Sequence, residues 1–282
     1  MYTLIVENEK GEQLKLTNSD KYDVLKIDGL NPSAAKINLD NVAGLNGAIY
    51  NSSRVDARNI VIYLNIKFPI EENRQLLYNY FSTNQKVKLY FKNKNRNVFI
   101  DGYVETFENN LFGITQQPQI SIICPDPFFK QLSKSTIEFS NTISLFEFPF
   151  AISEEGIEFS QIENSIIKTV FAGDIKTGII ITFAAMTDQI LNPVIYNRTN
   201  QTFFGLNVTL QKGDIIIVDT NIGKKSATLI RNSVKINVID KLKKNSTWIQ
   251  LVPGTNEISF DADKGVENLN LSISFTQKYG GV

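Results

Sequence analysis

Ile120-Ser121-Ile122-Ile123-Cys124-Pro125-Asp126-Pro127-Phe128-Phe129 runs an apolar, β-branched strand straight into two prolines. Proline fixes its own φ, removes a ladder donor and pushes the residue before it toward extended geometry, so Pro125 and Pro127 end the strand. The stop lies almost halfway along the chain and predicts two domains, residues 1–127 and 133–282, with a tight junction around Asp126 to Lys134. Each stretch is long enough to bury a core of its own.

Working outward from this stop, the pattern on both sides is β. In Arg58–Ile66, Ile60, Ile62, Leu64 and Ile66 recur at period two and share one face. Similar runs include Thr3–Glu7, Tyr22–Asp28, Ala35–Leu39, Val87–Phe91 and Val98–Phe107, with Asp28-Gly29, Asn46-Gly47 and Asp101-Gly102 as punctuation. After the junction come Ser144–Phe150, Ile166–Phe171, Gly178–Ala184, Asp214–Asp219, Thr247–Val252 and Leu269–Phe275, among others. One segment differs: Leu76, Leu77, Tyr80 and Phe81 stand at helical spacing behind Pro69, Glu71 and Glu72, which predicts a helix of about three turns packed on a sheet. The fold class expected is mainly β, with an N-terminal sandwich or split barrel carrying one helix and a C-terminal antiparallel sandwich or jelly roll.

Composition narrows the chemistry. Lys+Arg and Asp+Glu both number 29, so no overall charge favours nucleic acid or an anionic membrane. The basic run Lys86 to Arg96 reads as a solvated hairpin whose lysines guard a sheet edge. There is no histidine, which removes imidazole bases, serine–histidine triads and histidine metal sites. One cysteine, Cys124, cannot form an intrachain disulfide or a cysteine-only zinc site. The N-terminus lacks a signal-peptide pattern, so synthesis in a reducing cytoplasm is expected. Gly44 and Gly47 lack a P-loop lysine and the strand–turn–helix context of a phosphate cradle. Asp214, Asp219, Asp261 and Asp263 form no catalytic motif, and a glycosidase would need two of them facing one sugar. Asn-x-Ser/Thr occurs at Asn197, Asn207 and Asn245, without meaning in a chain lacking a secretory signal. No cofactor, metal or catalytic residue is expected, and neither is enzymatic activity.

Two surface readings remain. Trp248 and Tyr196, with Phe203, Phe204 and Tyr279, are candidates for stacking on a sugar ring; Trp248 and Gln250 would share a strand face opposite Ile249 and Leu251. The Asn46-Gly47 punctuation, with Gly44 just before it, lies between the runs Ala35–Leu39 and Arg58–Ile66, and Arg54 and Arg58 stand four apart on its far side. Arginine suits an interface because its planar fork binds carboxylates or carbonyls bidentately. These five residues are the candidate subunit interface.

Several motifs in order give a further reading. Ile27-Asp28-Gly29-Leu30-Asn31-Pro32-Ser33-Ala34 leads to Asn46-Gly47-Ala48, with Asn46 where aspartate is commoner, and on to Arg54 and Arg58-Asn59-Ile60. Val98-Phe99-Ile100-Asp101-Gly102-Tyr103 precedes the Cys-Pro-Asp-Pro-Phe-Phe junction. Gly213-Asp214-Ile215-Ile216, Val252-Pro253-Gly254-Thr255-Asn256 and the closing Tyr279-Gly280-Gly281-Val282 complete the series. Nearly end to end, the chain resembles the distal tail proteins (Dit, siphovirus tail component) of long-tailed phages that infect Gram-positive bacteria. The resemblance implies a homo-hexamer closed into a ring at the virion tail tip, made in the host cytoplasm, and a long hairpin, Leu39 to Ile60, that reaches a neighbouring subunit, with Gly44, Asn46 and Gly47 at its tip and Arg54 and Arg58 on one face of its returning base. It implies partners above and below, a tail tube protein and a tail hub protein. It also implies a galectin-like or carbohydrate-binding-module-like C-terminal sandwich that projects outward to receptor-binding proteins or host glycan. The alternative is a carbohydrate-binding adhesin module that forms no ring.

Overall fold

The computed structural model describes residues 2–41, 43–44, 46–140, 142–144, 160–162 and 166–282. Of the expected strand Ser144–Phe150, all but Ser144 lies outside these residues. The protein is mainly β, and the chain divides into two compact units, Met1–Leu132 with Lys278–Val282, and Ser133–Gln277.

In the first unit one antiparallel sheet runs in the order Gln13–Lys15, Thr3–Glu7, Lys86–Lys92, Asn97–Glu108, Gln119–Cys124, Arg58–Ile66, Tyr22–Asp28. Period two does what it predicts: Ile60, Ile62, Leu64 and Ile66 are buried, with Ile60 opposite Ile122 and Ile62 opposite Ile120. Such directly opposed β-branched pairs are the unit of sheet stabilisation. The helix spans Ile70–Tyr78, shorter than expected, because Asn79 caps it through N–H bonds to Leu76 and Leu77 carbonyls. Leu77, Tyr80 and Phe81 are buried all the same, and the Tyr22 hydroxyl donates to the Asn73 carbonyl at 2.8 Å, tying helix to sheet.

Two glycine readings part company. Gly29 has φ +86°, and a Cβ there would lie 2.2 Å from the Asn59 carbonyl oxygen, so the Asp28-Gly29 turn needs glycine. Gly102 is no turn. It sits inside the strand Asn97–Glu108, where a Cβ would fall 2.6 Å from Ile122 Cγ2 and 2.9 Å from Cys124 Sγ. Its missing side chain admits the buried residues of the next strand.

The second unit is a sandwich. A six-stranded sheet runs Ser135–Ser140, Leu269–Phe275, Ile180–Ala185, Ile215–Asp219, Ser226–Arg231, Val234–Asn237; a four-stranded sheet runs Ile167–Phe171, Gly254–Asp261, Val194–Asn197, Thr202–Gly205. Phe183 faces Ile216 on one neighbour and Leu271 on the other, while Ile195 pairs Phe260 and Phe204 in the smaller sheet. These inner faces merge into a single buried cluster, as aligned sheets do. The domain bounds read from sequence need one correction. Lys278–Val282 leave the second unit, and Phe129–Gln131 pairs with both Lys278–Tyr279 and the strand Asn97–Glu108. The second unit is thus inserted into the first.

Candidate functional site

Ala35–Asp40 and Ile49–Val55 form a two-stranded hairpin that belongs to no larger sheet. Register assigns its faces. Ala35 pairs Val55, Ile37 pairs Ser53, and Leu39 pairs Tyr50; on the other side Lys36 pairs Arg54 and Asn38 pairs Ser52. The Asn38 amide donates to Ser52 Oγ at 2.9 Å, and Tyr50 Oη lies 2.9 Å from Ser53 Oγ. One face of the hairpin is thus mostly apolar and the other mostly polar, apart from Ile49, which pairs Asp40 beyond a register shift after Asn38; Ile37, Leu39 and Tyr50 are as exposed as the polar residues behind them. At its tip Gly44 and Gly47 have φ near +85° and +94° with open space around them, and Asn46 is exposed between them.

The two arginines are not brought together. Arg54 lies in the second hairpin strand, exposed, with Nε 3.2 Å from Asp56, whose other oxygen takes Lys36 at 2.7 Å. Lys36 above all holds the Asp56 carboxyl below its usual range, and Arg54 adds to the effect. Arg58 opens the next strand and is only 3% exposed. Nε donates to Pro127 O at 2.6 Å, Nη1 to Gly29 O at 2.5 Å and Asn31 O at 2.8 Å, and Nη2 to Gly280 O at 2.6 Å. Its Cζ stands 4.6 Å from the Phe129 ring centroid, and burial pulls the guanidinium below its ordinary value. Arg58 is thus removed from the candidate interface. Its fork is spent on four carbonyls of its own chain, and four residues do not keep two side chains on one face when the chain turns to a new strand at Asp56-Ala57.

What Arg58 does is brace the hairpin root. Gly29 to Pro32 enters the first hairpin strand, and Val282 N–H donates to Leu30 O at 3.2 Å while Gly281 packs on Pro32. Arg96 donates to the Gly281 carbonyl and lies over the Tyr279 ring at 4.4 Å. Asp126 takes Lys278 at 3.2 Å and Lys130 at 3.3 Å. Burial alone would raise the Asp126 carboxyl, but Lys278 and Lys130 outweigh it and hold it below its usual range. Arg96, Asp126 and Lys278 were missed by sequence reasoning, because Gly281 and Tyr279 lie far from Arg96 along the chain, as Lys278 does from Asp126. Ile37 and Leu39 were legible as an alternating pair, though not as an unpartnered one.

The glycan candidates also separate. Tyr196 pairs Phe203 across strands, with ring centroids 6.1 Å apart, and Arg198 stacks on Tyr196 at 5.1 Å. Phe204, next in the strand, points the other way into the core, and Trp248 packs against it at 5.3 Å. Trp248 therefore belongs to the inner face, in a non-strand segment, and does not join Tyr196 in one platform. Tyr279 belongs to the first unit. The acids are engaged individually: Asp214 with Arg231 and Gln211 N–H, Asp219 with Asn221, Asp261 with Ala262 N–H, and Asp263 with Lys243 and Asn192. The Cys124 thiol is buried, and burial pushes it up to about 12, so it is no nucleophile at neutral pH.

Residues 9–124 match the phage tail protein RIFT-related domain, and residues 172–279 match the siphovirus-type tail component, C-terminal domain. The chain belongs to the siphovirus distal tail protein family. Among solved structures, this family member is similar to the SPP1 Dit (gp 19.1) protein, described as a paradigm of hub adsorption apparatus in Gram-positive infecting phages. That match has a TM-score of 0.70 at 13% identity over 99% of each chain. It is also similar to a chain of the phage p2 baseplate in its activated conformation with Ca, with a TM-score of 0.56 at 10% identity over 100% of each chain. Identities this low carry the fold alone. No curated protein sequence matches. As a distal tail protein the chain is a structural component of a phage tail or baseplate.

Proposed function

We propose that six copies close into a ring at the virion tail tip, joining the tail tube protein above to the tail hub protein below, with assembly in the host cytoplasm. The observation that carries this reading is the hairpin. A lone two-stranded ribbon is marginal in water, and this one exposes Ile37, Leu39 and Tyr50 on one face. An arm of this kind is stable when it lies on another subunit, and a heterologous contact closes into a ring if the rotation permits. Gly44, Asn46, Gly47 and Arg54 stay with the arm in this reading; Arg58 serves it from inside the fold. The role is structural, without catalysis.

Light scattering or native mass spectrometry tests it. The intact protein is expected as a hexamer. Replacing residues 38–52 by Asn-Gly joins the paired Ile37 and Ser53 through a two-residue turn, and is expected to leave a folded monomer. A shortened protein that still forms hexamers would rule the arm out.

A second reading concerns the inserted unit, which in this proposal holds receptor-binding proteins or touches host glycan. The Tyr196–Phe203 pair beside Arg198 offers an aromatic and a donor of the kind sugar recognition uses. Calorimetry with host cell-wall oligosaccharide is expected to show binding lost in Tyr196→Ala and kept in Trp248→Phe.

A further inference from the structure

The hairpin is not the first unit's only exposed apolar feature. Phe112 is fully exposed, Ile114 is 96% exposed and Phe68 88%, with Leu111 half-exposed beside them. Together they fall at one end of the strand Arg58–Ile66. The Ile66 N–H donates to the Gln116 carbonyl at 3.0 Å, which brings the loop to the strand end that Phe68 follows. The loop is held firmly. The buried Gln116 side chain accepts from Arg74 at 3.1 Å and from Asn109 at 2.9 Å, and donates to the Leu111 carbonyl at 3.3 Å. Asn110 Oδ1 accepts from the Phe112 N–H at 3.1 Å. A loop fixed by polar groups, yet offering three large apolar side chains to water beside Phe68, is built to be covered.

The hairpin root lies at the other end of the same strand, where Arg58 holds Gly29 and Asn31. Nine residues of strand put roughly 26 Å between the two ends. Within one copy arm and loop do not cover each other, since Ile37, Leu39 and Tyr50 on the one and Phe112 and Ile114 on the other all stand exposed. Between copies they can, and only in a head-to-tail sense, because the two surfaces differ. Together they expose on the order of 1,000 Å² of apolar surface, about where specific protein–protein contacts begin.

We infer that the socket for the arm is the Phe68, Leu111, Phe112 and Ile114 surface of the next copy, occupied by that copy's neighbour through Ile37, Leu39 and Tyr50. This rests on the ring reading and names the acceptor side of its seam.

Phe112→Asp with Ile114→Asp tests the acceptor directly. Both side chains stand in solvent, so circular dichroism and the thermal midpoint should match the parent. The concentration needed for assembly should rise on the order of a hundredfold or more. Leu39→Cys with Phe112→Cys, under mild oxidation, should give a disulfide-linked ladder between copies that neither single variant gives, since Cys124 is buried and silent. Unchanged hexamers in the aspartate variant, or no ladder in the cysteine pair, would overturn the socket while leaving the ring intact. A parent protein that stays monomeric at its highest soluble concentration would overturn both.

Discussion

Arg58 Nη2 lies 2.6 Å from the carbonyl oxygen of Gly280, across 222 residues of sequence. One side chain thus joins the hairpin root, the proline junction and the chain's last residues through four short bonds to backbone carbonyls. Charge-assisted bonds are the stronger kind, and buried acceptors left without a donor are costly. Arg58→Met should lower unfolding free energy by about 3–5 kcal/mol in chemical denaturation. Arg58→Lys should recover only part of this, because an ammonium cannot reproduce the planar fork. A loss below about 0.5 kcal/mol would place Arg58 among ordinary surface residues.

The return of Lys278–Val282 to the first unit changes what truncation should do. Fragment 133–277 carries both sheets of the sandwich and is expected to melt cooperatively on its own. Fragment 1–127 lacks Phe129–Gln131 and the closing peptide, leaving Arg58 short of the Gly280 acceptor. It should express poorly or melt well below the parent. Joining Leu132 to Lys278 through a short glycine–serine linker should restore it. Equal midpoints with and without 278–282 would show that the closing strand is dispensable.

Asp126, between Lys130 and Lys278, makes stability depend on acid. Its folded carboxyl is held below the usual range, so its contribution is full above the unfolded carboxylate value and is lost as pH falls through the folded one. The group is about a third exposed, and solvent screening keeps the contribution near 1 kcal/mol. Urea midpoints of the parent and Asp126→Asn should differ at pH 7 and converge between about pH 5 and pH 3. A gap that persists at the acid end would assign the effect to something other than this charge.

Cys124 gives a probe of opening. Burial raises its thiol to about 12, against an ordinary value near 8.5. The folded state therefore favours the neutral thiol, and that preference disappears as pH rises through the folded value. Labelling by a thiol reagent at pH 8 should be slower than for the urea-unfolded chain by a factor of at least a hundred, and should follow local opening. Labelling at the unfolded rate would mean that the strand Gln119–Cys124 is not held as described.

The strands were legible wherever period two coincides with burial on one face, as in Ile60 to Ile66, because alternation is a local property of the chain. So were the helix, from spacing and its acidic first turn, and the proline stop, from covalent geometry. The order of family motifs carried the assignment that chemistry alone did not. The resemblance also placed Gly44, Asn46, Gly47 and Arg54 on a hairpin, with Asn46-Gly47 the part of it legible as a local turn signal. Sequence could not separate Arg54 from Arg58, because a chain reversal at Asp56-Ala57 sends one outward and the other into a cage of carbonyls from Gly29, Asn31, Pro127 and Gly280. Nor could it see that Trp248 meets Phe204 on the inner face while Tyr196 stays outside with Phe203. Those outcomes depend on contacts between residues tens to hundreds of positions apart, whose partners are chosen by packing rather than by pattern. Only the tertiary structure decided that the last five residues close the first unit, because a backbone carbonyl at Gly280 carries no signature that a buried guanidinium will find it.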